Sequence, residues 1–80
     1  MTRETLLQEL NKIFIDVFDD DTIRLTEQTT ADDIDDWDSL EQINLIIAIE
    51  KKYHVKFNMQ EISELSNVGE MIDYIERKLL

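Results

Sequence analysis

Apolar residues along this chain recur at spacings of three and four, and alternation of period two is nowhere sustained, so the pattern predicts an all-helical fold. Leu6, Leu10, Ile13 and Val17 form one stripe, widened by Leu7, Phe14 and Phe18. That spacing predicts an amphipathic first helix of roughly four turns with Thr2 as its N-cap. The triplet Asp19-Asp20-Asp21 should end it, because carboxylates at a helix C-terminus oppose the macrodipole. A second helix is expected from about Ser39 to Tyr53, capped by Asp38 with Glu41 three residues later. Asn58 with Glu61 predicts a short third helix carrying Met59, Ile62 and Leu65. Asn67 with Glu70 opens a last helix that turns Val68, Met71, Ile72, Ile75 and Leu79 inward and ends on basic Arg77 and Lys78. The expected fold is an all-α bundle of three long helices and one short one. A long connection over residues 19–38 follows the first helix, anchored by Ile23, Leu25, Ile34 and Trp37.

The second helix carries more apolar residues than one face can hold. At about 100° per residue, Leu45, Ile46, Ile49 and Tyr53 share one arc, the natural core face. Leu40, Ile43 and Ile47 fall on a separate stripe, roughly opposite. Either the helix is central and both stripes are covered, or the second stripe is exposed and waits for a partner. Eighty residues supply few helices to cover it, which favours exposure.

Charge narrows the choice of partner. Nineteen acids against eight bases give a net charge of −11, and nine acids with one base in residues 19–38 put −8 of it in that connection. Phosphate backbones and anionic lipids are therefore excluded as partners, and basic protein surfaces are favoured. The absence of cysteine removes a disulfide framework, a thiolate zinc site and a cysteine nucleophile. The longest apolar run, Leu45 to Ile49, is far too short for membrane insertion. These features describe one acidic domain over residues 1–80, expected to be monomeric and cytoplasmic.

Ser39 lies where the acidic connection meets the second helix. A serine there is commonly no more than a helix-start residue. A phosphodiester on its oxygen, however, would sit at a helix N-terminus, where free amides and the positive dipole end favour an anion, beside the apolar stripe beginning at Leu40. The run Asp38-Ser39-Leu40, followed by a helix with Leu45, Ile49, Glu50 and Tyr53, resembles the attachment motif of acyl carrier proteins. Val55-x-Phe57 and the closing Val68-Gly69-Glu70-Met71-Ile72-Asp73-Tyr74-Ile75 extend that resemblance over essentially the whole chain. It implies an acyl-carrier-like bundle and a non-catalytic carrier. Ser39 would bear a covalent 4′-phosphopantetheine arm donated by coenzyme A through a phosphopantetheinyl transferase. The arm's thiol would hold acyl groups as thioesters, as suits a chain with no cysteine of its own. Recognition by the transferase passes to Asp38 and Leu40. Docking of acyl-activating, synthase or acyltransferase enzymes with basic surfaces passes to Leu40, Glu41, Ile43, Ile47 and Glu50.

The chain departs from the family pattern at three places. Asp36-Trp37 stand where many members have glycine, Asn44 stands where housekeeping fatty-acid carriers usually have an acid, and Lys51 and Lys52 replace part of the usual acidic run. A dedicated carrier of a specialised lipid, polyketide or related pathway is therefore expected rather than the general fatty-acid carrier. An aminoacyl or peptidyl carrier, or an adaptor with no arm, are the alternatives. A calcium loop fails in every register: from Asp33 its fifth, sixth and twelfth positions are Trp37, Asp38 and Asn44, and from Asp36 the fifth is Leu40. Ser39 with His54 fails as a hydrolase pair, since a helix over 39–53 separates them by about 22 Å and no Gly-x-Ser-x-Gly elbow exists. His54 reads as a surface residue and Trp37 as a packing anchor.

Overall fold

In a computed structural model, which describes residues 2–34 and 37–79, four α-helices follow in chain order. They are α1 (Arg3–Phe18), α2 (Ser39–Tyr53), the short α3 (Met59–Ser63) and α4 (Val68–Leu79). Asp36, a starting position of the calcium registers above, lies outside the described residues. Each helix begins where the sequence places a cap. Thr2, Asp38 and Asn58 accept hydrogen bonds from the amides of Thr5, Glu41 and Gln60 respectively, and Asn67 Oδ1 accepts one from Glu70.

The helix ends are less conventional. Asp19 and His54, just past α1 and α2, both adopt the left-handed conformation, at φ of 50° and 56°. Their amides return to Ile15 and Glu50, and the next amides, of Asp20 and Val55, reach the same carbonyls at 3.2 Å. This is the closure usually made with glycine. Aspartate tolerates the conformation, so α1 stops through backbone geometry as well as through unfavourable charge.

Leu6, Leu10, Ile13, Phe14 and Phe18 of α1 are buried against Leu45, Ile46 and Ile49 of α2 and Val68, Met71, Ile72 and Ile75 of α4. The hydroxyl of Tyr53, at the end of α2, donates to Glu9 in the first half of α1 at 2.6 Å. Trp37, just before α2, packs on Phe14 and Phe18 in the second half, so α1 and α2 run antiparallel. Tyr74 ties α3 to α4: its hydroxyl donates to Glu61 at 2.8 Å and accepts the Asn58 amide at 3.1 Å. Two apolar positions depart from expectation. Val17 is only partly buried at the edge of the core, and Leu79 is 40% exposed because the core ends at Ile75, a turn before the helix does.

The connection after α1 is anchored at Ile23 and Leu25, which are buried, and at Ile34 and Trp37, which pack on the core. It also contains a 3₁₀ turn at Ala31–Asp33. Hydrogen bonds to its backbone fix its path. Asn11 of α1 donates to the Ile23 carbonyl at 3.2 Å and accepts from the Leu25 amide at 2.7 Å. The first two amides of α4, on Val68 and Gly69, donate to the carbonyls of Thr29 and Glu27 at 2.9 and 2.8 Å. The connection thereby supplies partners that a helix N-terminus otherwise lacks. This approach explains the chain's single glycine, since a Cβ at Gly69 would sit 3.0 Å from the Glu27 carbonyl oxygen.

Candidate functional site at the start of the second helix

Trp37 fixes the entry to α2. Its ring meets Phe14 edge-on at 5.1 Å, and its indole N–H donates to Gln42 at 2.6 Å. Packing on one side and a hydrogen bond to the first turn on the other set the direction in which the chain enters the helix. Asp38 then takes extended backbone angles as the cap, and its Oδ1 accepts the Glu41 amide at 2.8 Å. The Gln42 amide makes the first intrahelical bond, to the Asp38 carbonyl at 2.9 Å. Among the described residues nothing accepts the amides of Ser39 and Leu40, the first two of the helix. Ser39 is exposed, on a rigid element rather than a loop tip.

The stripe that starts here is open to solvent. Leu40 is 65% exposed, Ile43 44% and Ile47 43%, whereas Ile49, on the opposite face of the same helix, is fully covered. Glu41 flanks the stripe and accepts a bond from Asn44 at 3.2 Å. Glu50 is partly buried and committed elsewhere: its Oε2 accepts the Phe57 amide at 2.7 Å and closes the turn after α2. The structure thus brings Asp38, Ser39, Leu40 and Glu41 into one turn, continues them with Ile43 and Ile47, and sets Glu50 apart. His54 caps the far end of α2, exposed and well away from Ser39.

A cavity of about 350 Å³ opens beside Ser39, between the start of α2 and the α3–α4 turn. Trp37, Gln42, Ile62, Leu65 and Met71 are among its walls. Sequence periodicity does not reveal it, because its walls come from four separate parts of the chain. Periodicity does not mark Gln42 either, since its role depends on where the Trp37 ring comes to rest. The lone glycine was the available signal for the close approach at Gly69.

The acidic surface is locally organised. Arg3 binds Glu27 and Glu76 at 2.6 Å each and also pairs with Asp73, so one cation joins α1, the connection and α4. Glu27 and then Asp73 hold its guanidinium above its ordinary pKa. Hydrogen bonds from the Thr22 hydroxyl and amide hold the Asp20 carboxyl below the usual range. Burial, and then the bond to Glu9, raises the Tyr53 phenol above its ordinary value. Among the described residues no three His, Asp or Glu side chains converge as a metal site, and no helix is long and apolar enough to cross a membrane.

Residues 8–75 match a family described as the phosphopantetheine attachment site. The acyl carrier protein of Thermotoga maritima is 28% identical over 98% of this chain and 96% of its own length. That of Rhodococcus erythropolis is 30% identical over 95% of this chain and 84% of its own. Among solved structures, the holo acyl carrier protein from Geobacter metallireducens superposes with a TM-score of 0.85 at 49% identity, covering 91% of this chain and 84% of that one.

Proposed function

Since the chain belongs to the phosphopantetheine attachment-site family, we propose that it works as an acyl carrier whose arm is attached at Ser39. The observation that carries this reading is an exposed Ser39 in the first turn of α2, flanked by Asp38 and Leu40 and opening onto an exposed apolar stripe. The residues fit the group. A phosphodiester at Ser39 would lie at the positive end of α2, near the amides of Ser39 and Leu40. The arm supplies a thiol on which acyl groups are held as thioesters, and catalysis belongs to partner enzymes.

The chain's own part is to position and present. Trp37 and Gln42 hold the entry to α2, Asp38 caps it, and the core face keeps Ser39 on a stiff support. Asp38 and Leu40 are the neighbours a phosphopantetheinyl transferase meets beside the hydroxyl. Leu40, Ile43 and Ile47, flanked by Glu41, form the proposed docking stripe for biosynthetic enzymes. Each fully buried apolar side chain contributes roughly 1.5–3 kcal/mol, so three give at most about 4.5–9 kcal/mol before association costs are subtracted. That suits a carrier, which must leave each enzyme after delivery. Residues 1–80 act as one carrier domain on this reading.

The pathway we propose is a specialised lipid, polyketide or related one. Asn44 and Lys51 lie on the stripe side of α2 where a general fatty-acid carrier presents acids, which supports a narrower set of partners. The test is incubation with coenzyme A and a broad-specificity transferase. Wild type should gain one arm by intact mass and Ser39→Ala none. Modification that survives in Ser39→Ala would overturn the assignment.

A further inference from the structure

The polarity of the α2 stripe reverses along its length. At about 100° and 1.5 Å per residue, Lys51 lies on the line of Leu40 and Ile47, about 18 Å along the axis from Ser39. Lys52 points roughly a quarter-turn away and leans over the Tyr53 ring at 5.8 Å. Lys51, His54 and Lys56 are all exposed, and with Ile47 and Val55 they line a shallow groove of about 500 Å³. Glu50 also lines the groove and keeps its charge while accepting the Phe57 amide, so Lys51 and Lys56 leave that end net positive by one. The stripe therefore begins among Asp38 and Glu41 and ends among cations.

We propose that α2 offers a bipolar docking surface, and that the enzyme which loads this carrier meets it with basic side chains near Asp38 and Glu41 and carboxylates near Lys51 and Lys56. This rests on the reading of the stripe as the docking face. The macrodipole accounts for a base in the last turn, but Lys52 already supplies one, and Lys56 lies beyond the helix. A polyanion is repelled by the net charge of −11, and a wholly basic surface meets like charge at its far end. Only a partner whose charge reverses along the contact satisfies both ends. The same arrangement turns away enzymes built for uniformly acidic carriers.

The test uses the phosphopantetheinylated protein and, as probe, a fatty-acid transacylase with a wholly basic docking surface. Reversing two unit charges, each about 12 Å from a partner charge in water, changes an interaction about tenfold. Lys51→Glu/Lys56→Glu should raise kcat/KM for the probe about tenfold at about 0.02 M salt, the gain shrinking towards nothing at about 0.5 M as screening shortens. Lys51→Gln/Lys56→Gln should give about threefold, with no acid added to the helix end. Lys12→Glu/Lys52→Glu makes the same change in net charge on other faces and should leave the rate within about twofold. An equal rise in both Glu pairs, or none in the first, overturns the bipolar surface. Intact mass is read first, so absence of the arm overturns the carrier reading itself and with it this inference.

Discussion

Replacing Ile47 with Asp and Ile49 with Ala separates docking from folding on a single helix. Ile49 is fully covered, packed with Leu45 and Ile46 into the core shared with α1 and α4. Truncating it removes buried methyl groups and leaves a cavity, which costs about 2–5 kcal/mol. Ile47, two residues away, is 43% exposed and absent from that core. Its partial cover and the lower helix propensity of aspartate together put the cost of Ile47→Asp at no more than about 1 kcal/mol. For a domain of this size 1 kcal/mol moves Tm by roughly 4–8 °C. Ile47→Asp should therefore melt within about 8 °C of wild type, and Ile49→Ala at least about 8 °C lower. If Ile49→Ala is too unstable to handle, Ile49→Val, at about 0.5–1.5 kcal/mol, keeps the comparison measurable. The assay pairs a thermal melt with the rate of loading by a cognate enzyme. Ile47→Asp should fold and load poorly, while Ile49→Val should load normally wherever it is folded. A large loss of stability in Ile47→Asp would show that the stripe is core and that docking occurs elsewhere.

Raising ionic strength from about 0.01 to 0.1 M shortens the screening length from about 30 to 10 Å, and should raise Tm by relieving repulsion among the acids of residues 19–38; a flat or falling Tm contradicts a repulsive connection. Tyr53→Phe removes the bond to Glu9 and should cost about 0.5–1.5 kcal/mol near neutral pH. Because the folded phenol titrates above the unfolded one, that advantage holds below about pH 10 and falls as pH rises further, so denaturation curves of the two proteins should converge there; a constant gap refutes the assignment. Gly69→Ala puts a methyl 3.0 Å from the Glu27 carbonyl oxygen, and overpacking of about 1–3 kcal/mol should outweigh a helix-propensity gain of up to about 1. A more stable Gly69→Ala in chemical denaturation would mean that the connection yields freely.

Local signals carried most of the architecture. The caps Thr2, Asp38, Asn58 and Asn67 act within three residues of themselves, so the sequence alone places them. The two faces of α2 follow from periodicity, and with so few helices available the second face stays uncovered. What the pattern does not contain is long-range. The Arg3 junction spans residues 3, 27, 73 and 76, and the Asn11 clasp and the docking of residues 27–29 onto α4 join segments far apart in the chain. Such pairings depend on how the helices come to lie, as does the cavity beside Ser39. Glu50 shows the same limit in reverse: the family resemblance assigns it to docking, while the turn that follows draws its carboxylate to the Phe57 amide.

The central claim is tested most directly by peptide mapping of the modified protein. Trypsin releases residues 25–51 as one fragment, with Thr26, Thr29, Thr30 and Ser39 as its hydroxyl side chains. Fragmentation of that peptide should place a single phosphopantetheine on Ser39, with the three threonines unmodified and the Ser63–Ser66 peptide unchanged. An arm on any of those other residues, or a protein left unmodified by coenzyme A and an active transferase, would contradict the account.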